Sequence, residues 1–272
     1  MIVVKLGGSI RDPLLVLREI AAMRESVVLV HGASRELNEL ATRLGSPPRV
    51  VASPSGDTSR YTDSATMDLF LMAYAGKVNK RIVERLRGLG ANAVGLTGLD
   101  GGMVSGRRRS DIRVSENGRT VVLHDNHVGS IERVDPTLPQ TLLSLGYLPV
   151  LAPPIAAEDG TAINVDGDRL AAEIAVAMRA RHLVILSDTP GLLRDATDRS
   201  TVIGPISLDE IDDVTERLGG RARTKLRAAR RAFDCGVSVV IADGTQADPV
   251  RAALAGAGTR LASARASQVA AR

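Results

Sequence analysis

Lys5 stands inside the apolar opening "MIVVKLGGSI", with Gly7 and Gly8 directly behind it. A buried ammonium is costly unless an anion meets it. Glycines lack a Cβ and let backbone N–H groups come close to a ligand. On this stretch alone, a strand-end lysine reaching out to water fits equally well. A second lysine, Lys225 in "GGRARTKLRAARRAF", falls near the start of an amphipathic pattern, where a cation opposes the helix dipole. A structural lysine belongs at the other end of such a helix; a phosphate ligand would explain this one. In "INVDGDRLAAEIA", Asn164 and Asp168 stand four apart at a turn entering a helix. Taken by itself, Asp168 reads as an N-cap.

The common nucleotide motifs are absent. Gly76-Lys77 is followed by Val78 within a helical pattern, so there is no GxxxxGK[ST], and no GxGxxG follows the first apolar run. Instead, glycines recur where apolar runs end, in "KLGG", "HGAS" (Gly32, Ala33, Ser34), "GLTGLDGG" and "LSDTPGLL". Open α/β sheets bind ligands outside the carboxyl ends of their strands, which predicts that these loops gather on one edge. In "HGAS" a helix starts at once and would aim its free N–H groups at an anion.

The elements that must hold these loops follow from periodicity. Short Val/Ile/Leu runs predict strands at Ile2–Leu6, Val27–His31, Asn92–Leu96, Leu148–Ala152, Leu183–Ser187 and Val237–Ala242, covered on both faces as in parallel sheets. Amphipathic stretches alternate with them. "DPLLVLREIAAMRE" has Asp12 at the expected N-cap and Pro13 at the first helical position. "SRELNELATRLG" puts Leu37, Leu40, Ala41 and Leu44 on one face and ends at Gly45; "DRLAAEIAVAM" repeats the pattern with Leu170, Ile174 and Met178. This alternation gives an α/β fold with right-handed crossovers. The middle breaks it: Asn117-Gly118 between two β-like runs signals an antiparallel hairpin excursion.

Composition narrows the function classes. With 272 residues and 44% apolar content a sizeable core forms, but the chain has only five aromatic residues, so that core is aliphatic. A single cysteine, Cys235, excludes an internal disulfide and is expected to be a buried structural thiol in a reducing compartment. The net charge of +4 comes from Arg251, Arg260, Arg265 and Arg272; the rest of the chain balances 31 basic against 31 acidic residues. With so few aromatics for stacking, nucleic-acid binding is not expected. No run approaches the ~18 apolar residues of a membrane span, and "MIVVKLGG" lacks the basic start of a signal peptide. A soluble cytoplasmic protein is expected. His124 and His127 in "HDNH" are read as solvated hairpin residues rather than metal ligands.

"KLGG", "HGAS", "SRYTD", "NVDGD", "LSDTPGLL" and "RTKLRAA" occur in the order and spacing of the amino-acid kinase family, which the chain resembles from Met1 to about Ser263. It is similar to acetylglutamate kinase and its carrier-protein-dependent relatives. "SPSGDTSRYTD", "MAYAGKVNKRIVERLRGLGANAVGLTGLDG" and "INVDGD" resemble the carrier-dependent branch. Its members phosphorylate the side-chain carboxylate of α-aminoadipate, or of glutamate, while the amino group is attached to a small acidic carrier protein. The resemblance implies a three-layer α/β/α sandwich around a mostly parallel central sheet. It also implies a lobe at 1–176 for substrate, phosphoryl group and dimerisation and an ATP lobe at 177–263; the stretch 264–272 is expected to be a disordered tail.

Residue roles follow from the same resemblance. Lys5 and Lys225 would hold the transferring phosphoryl group from two sides, and Asp168 would orient both. Gly7, Gly8, Gly32, Ala33 and Ser34 would line the phosphate path. Arg60 would fork onto the substrate α-carboxylate, and Asn164 would bind near its amino end. Ser187, Asp188, Gly191 and Gly220 lie where the family binds ATP, with Mg²⁺ held mainly by phosphates and water. A homodimer is expected, with no nucleic-acid or membrane partner. Arg107, Arg108 and Arg109 in "GRRRSDIR" would steer the acidic carrier, against the plainer reading of a solvated basic turn. The chain departs from the family pattern in two places: Ala33-Ser34 replaces two glycines of HGGG, and Ala222 replaces a common Met. The other reading within the class is a kinase of free N-acetylglutamate. Outside it stands a non-catalytic regulatory protein, for which the Lys5, Asp168 and Lys225 set would have no use.

Overall fold

The computed structural model describes residues 1–54, 58–116 and 118–262. From the start the chain forms β1 (Ile2–Leu6), α1 (Leu14–Ala22), β2 (Val27–His31) and α2 (Ser34–Arg43). A hairpin of β3 (Val50–Ala52) and β4 (Thr58–Arg60) leads to α3 (Ser64–Leu71), a π-helical stretch at Met72–Val78, and α4 (Asn79–Gly88). After β5 (Ala93–Thr97) come β6 (Val104–Arg108), β7 (Ile112–Glu116), β8 (Arg119–Leu123), β9 (Gly129–Val134) and α5 (Thr137–Ser144). Then follow β10 (Leu148–Ala152), β11 (Pro154–Ala157), β12 (Ala162–Asn164) and α6 (Gly167–Ala177). The last part holds β13 (His182–Ser187), β14 (Ile206–Ser207), α7 (Ile211–Arg217), α8 (Gly220–Asp234), β15 (Ser238–Asp243), α9 (Pro249–Ala255) and β16 (Thr259–Ala262).

Eight strands form the central sheet in the order β14-β16-β15-β13-β1-β2-β10-β5, parallel except where β15 meets β16. Strand alternation sorts its side chains into two cores. Val3, Val28, Leu183 and Ile185 face one side with Leu170 and Ile174 of α6 and Leu226 and Ala229 of α8. Ile2, Val4, Leu29 and Val184 face the other with Val16 and Leu17 of α1, Leu86 of α4 and Val250 of α9. The result is the expected α/β/α sandwich. All six expected strands are present, with β1, β2 and β10 at the expected bounds and the other three displaced by at most one residue at either end. No described helix is long and apolar enough to cross a membrane.

The excursion is larger than one hairpin. Arg119 pairs with Glu116 across the expected turn, where Gly118 takes a φ of 75° that a side chain would resist; Asn117 and the tail at 264–272 lie outside the described residues. Two four-stranded sheets form, β4-β3-β7-β8 and β12-β11-β6-β9, because strands distant in sequence complete the local pair. Other expectations are corrected. Pro13 occupies the N-cap of α1, while Asp12 Oδ1 accepts the Leu14 N–H at 3.1 Å. Leu44 is exposed, since α2 ends at Arg43. Cys235 is exposed too: the chain turns at Gly236 (φ 86°), and Arg231 Nη1 donates to its Sγ at 3.0 Å.

Candidate active site

Alternation fixes where Lys5 points. It shares parity with Val3, so its side chain leaves the sheet on the α6–α8 side, at the carboxyl end of β1. There Lys5 Nζ lies 2.6 Å from Asp168 Oδ1, and Lys225 Nζ lies 3.2 Å from Oδ2. Lys5 and Asp168 are 7% and 8% exposed, so the solvated-lysine reading is excluded. The Lys5 contact is one of charge more than of aligned hydrogen bonding, because Oδ1 accepts no well-directed donor. Asp168 is not the helix cap. Asp166 has that role, its Oδ1 accepting the N–H groups of Asp168 and Arg169 at 2.9 Å each, which leaves the Asp168 carboxylate to the two lysines.

Charge states follow from this geometry. Burial disfavours the Lys5 ammonium, but the Asp168 carboxylate outweighs it and holds Lys5 above an ordinary lysine. Lys225 falls below the ordinary value: burial leads, and the Lys5 charge adds to it against the attraction of the more distant Asp168 oxygen. For Asp168, burial favours the acid, and the two ammonium groups overcome it, holding the carboxyl well below the usual range.

The glycine loops form the wall beside this trio. Gly7 N–H donates to Leu186 O and Gly32 N–H to Leu6 O, both at 2.9 Å, drawing the ends of β13, β1 and β2 together. A Cβ on Gly8 would lie 2.8 Å from the backbone nitrogens of both Ala33 and Ser34. Only glycine leaves room there. α2 starts at Ser34 with no side chain capping it, so its first N–H groups face the space beside Gly8. Behind the wall His31 is fully buried and neutral, its pKa held down at about 4 by burial above all. Asn79 Nδ2 donates to its Nε2 at 3.1 Å, and His31 Nδ1 lies 3.3 Å from Gly32 O, which assigns the ring proton to Nδ1.

Arg60, at the end of β4, reaches the same space from the other side. Its Nη2 donates to Asn38 Oδ1, while Nη1 is buried without a partner. Tyr74 stands close by, 8% exposed and stacked on Phe70 at 3.9 Å between ring centroids. Burial raises its phenol pKa, opposed by the Ala33 N–H and by the charges of Arg60 and Lys5, so its oxygen lies among these groups. Asn164 Nδ2 donates to buried Thr62 Oγ1 at 3.3 Å, and its own N–H to His127 O at 2.7 Å. His127, expected in solvent, is buried: Nδ1 lies 3.2 Å from Ala162 O and Nε2 3.2 Å from Asp125 Oδ1, tying the excursion to β12. His124 is exposed beside Asp111.

The residues read as the nucleotide end lie along β13 and the start of α8. Ser187 is buried with its Oγ 3.2 Å from Thr189 Oγ1, and Thr189 donates to Gly191 O at 2.9 Å. A Cβ on Gly191 would come 2.8 Å from Thr259 Oγ1. Arg199 ties the loop down, donating to Asp188 O at 2.7 Å and to Asp243 Oδ2 at 2.9 Å. Gly220 opens α8 five residues before Lys225. Arg107, Arg108 and Arg109 sit apart from this set, at the end of β6. Arg107 pairs with Glu132 and Glu158, and Arg108 with Asp125. Sequence reasoning missed Asp166, Tyr74, Asn38 and Arg199; of these only Asp166, two residues before Asp168 at a helix start, left a legible signal.

The model of the amino acid kinase family matches residues 1–243. The [LysW]-aminoadipate kinase of Deinococcus radiodurans is 47% identical over 264 residues, which cover 95% of this chain and 90% of that protein. The [LysW]-aminoadipate kinase of Thermus thermophilus is 43% identical over 267 residues, covering 95% and 99%. Carbamate kinase from Giardia shares the fold, with a TM-score of 0.66 at 17% identity over 97% of this chain and 98% of that one. With its buried lysine–aspartate–lysine set at the carboxyl edge of the sheet, the chain belongs to the amino acid kinase family.

Proposed function

We propose that the protein phosphorylates the side-chain carboxylate of α-aminoadipate borne on a small acidic carrier protein, with ATP as donor. The observation that carries this is the pair of buried ammonium groups held on one carboxylate beside a glycine wall. In the reaction a carboxylate oxygen bonds to the γ-phosphorus as its bond to the β–γ bridging oxygen breaks, giving an acyl phosphate and ADP. The acceptor is already ionised, so no base is needed. What the reaction needs is cancellation of charge between two anions, and Lys5 and Lys225 supply it from opposite sides. Arg60 and Asn164 take the α-carboxylate and amino end; the unpartnered Nη1 of Arg60 supports an anionic occupant. Ser187, Asp188, Gly191 and Gly220 take the nucleotide, so 1–176 serve mainly the substrate and 177–263 mainly ATP. Mg²⁺ is held chiefly by phosphate oxygens and water; among the described residues no three His, Cys, Asp or Glu are grouped to hold a metal.

The reading includes a cytoplasmic homodimer that uses neither nucleic acid nor membrane. Within the 107–109 trio, Arg109 is the member most available to steer the carrier, because Arg107 and Arg108 are neutralised locally. Lys5→Ala or Lys225→Ala tests the chemistry. Each is expected to lower kcat about a hundredfold or more, with a smaller change in KM for ATP. Near wild-type turnover in either would remove the phosphoryl-clamp assignment.

A further inference from the structure

Arg60 and Asn164 belong to different sheets. Arg60 ends β4, in the sheet β4-β3-β7-β8, and Asn164 ends β12, in the sheet β12-β11-β6-β9. Their relative placement depends on the contacts that join the two sheets between them. Residues 125–128 supply such contacts from the main chain. His127 N–H donates to Thr62 O at 2.6 Å, two residues after Arg60, and Asn164 N–H donates to His127 O at 2.7 Å. Val128 and Asn164 form an isolated parallel bridge. Side chains add a second link: Asn164 Nδ2 donates to Thr62 Oγ1 at 3.3 Å, and Thr62 Oγ1 donates to Arg60 O at 3.4 Å.

Two side chains hold this seam in place. His127 grips β12 at both ends, its ring Nδ1 lying 3.2 Å from Ala162 O while its carbonyl takes the Asn164 N–H. Its Nε2 lies 3.2 Å from Asp125 Oδ1. The same oxygen accepts Arg108 Nη2 at 2.9 Å, and Asp125 Oδ2 accepts the Ser64 N–H at 3.0 Å. These donors, Ser64 foremost, hold the Asp125 pKa down at about 2. One carboxylate thereby gathers the seam, the end of β6 and the start of α3. To do so Asp125 sits at φ 57°, in the left-handed region that disfavours a side chain. Glycine would take that turn without strain. Because the Asp125 side chain is half exposed, the pairs it makes add little to stability. The turn alone does not account for an aspartate here; the placement of its three donors does.

We infer that Asp125, acting through His127, positions Asn164 against Arg60 at the substrate end. It is a positioning residue and touches no reacting atom. The inference rests on the substrate roles proposed above for Arg60 and Asn164, and Asn164→Ala tests that reading separately. KM is measured for ATP and for the acceptor, either carrier-borne α-aminoadipate or free N-acetylglutamate, whichever the wild type turns over better. Asn164→Ala should raise the acceptor KM about tenfold. Asp125→Gly, which suits the backbone turn, should raise it about fivefold, with kcat and KM for ATP within about twofold of wild type. Asp125→Asn keeps the shape and one acceptor oxygen and should recover part of the loss. Adding Asp125→Gly to Asn164→Ala should cost little more, since both act through one contact. Freeing Arg108 from Asp125 would favour an acidic carrier, so that charge works against the expected rise in KM. If Asn164→Ala leaves the acceptor KM unchanged, the substrate role of Asn164 fails and takes the inference with it. If Asn164→Ala raises it and Asp125→Gly does not, the positioning role is overturned and the substrate reading stands. An Asp125→Gly variant that loses acceptor and ATP alike, or whose effect adds in full to that of Asn164→Ala, overturns the positioning role as well.

Discussion

Asp168→Asn keeps the shape of the central side chain and removes its charge. At an effective dielectric of about 20, contacts of 2.6 and 3.2 Å correspond to attractions of roughly 6 and 5 kcal/mol. Most of that is offset by the desolvation of three buried charges and the mutual repulsion of the lysines. Taking away the shared partner of a buried set like this is expected to cost about 3–5 kcal/mol. A second effect follows from the charge states. Asp168 is the main group lifting Lys5 against burial, with smaller help from Asp166 and Tyr74, and burial already leads at Lys225. In the Asn variant both lysines therefore fall below their unfolded values, and the unfolded chain binds protons more readily than the folded one. The stability deficit is then largest at low pH and shrinks as pH rises through the lowered folded-state pKa. Activity runs the other way, because transfer needs both ammonium groups: residual kcat, down about 10²–10³-fold, falls further as pH rises. Urea unfolding at pH 7 and 9 reads the first, and kcat between pH 6 and 9.5 the second. Adding Lys225→Met should recover part of the stability and none of the activity. An Asn variant as stable as wild type, or one whose kcat keeps the wild-type pH profile, refutes the charge balance described here.

Arg60→Lys keeps a charge and loses the planar fork, so KM for the acceptor substrate should rise about tenfold while ATP affinity barely moves. If ATP binding suffers most, Arg60 serves the other site. His31 gives a pH test of the fold. Its folded-state pKa of about 4 lies below the unfolded 6.5, so the unfolded chain takes the proton first; stability is complete above pH 6.5 and falls as pH drops toward 4. Between pH 7 and 4 the wild type should lose about 3 kcal/mol more than His31→Gln, measured by urea unfolding. Parallel losses would show that the ring is not held neutral.

Much of the site was legible in the sequence because local rules decide it. The parity of Lys5 with Val3 fixes its direction, and glycines at strand ends mark close approach, as the space around Gly8 bears out. Two aspartates two residues apart at one helix start could not be told apart by type: Asp166 caps and Asp168 is thereby left to pair with the lysines. The excursion was seen only as far as its nearest turn, because β3, β4, β11 and β12 join it through pairing between distant segments. Tyr74 was hidden for another reason. It lies in the π-helical stretch Met72–Val78, where the extra residue per turn shifts every following side chain off the 3.6-residue pattern.

The most direct test is acyl-phosphate formation trapped as the hydroxamate, with ATP and three acceptors side by side. These are α-aminoadipate borne on the acidic carrier protein, free α-aminoadipate, and free N-acetylglutamate. Carrier-borne aminoadipate should give stoichiometric ADP and hydroxamate, with kcat/KM at least a hundredfold above either free compound. Efficient turnover of free N-acetylglutamate, with the carrier-borne substrate no better, would contradict the proposed function and assign the site to the simpler acceptor.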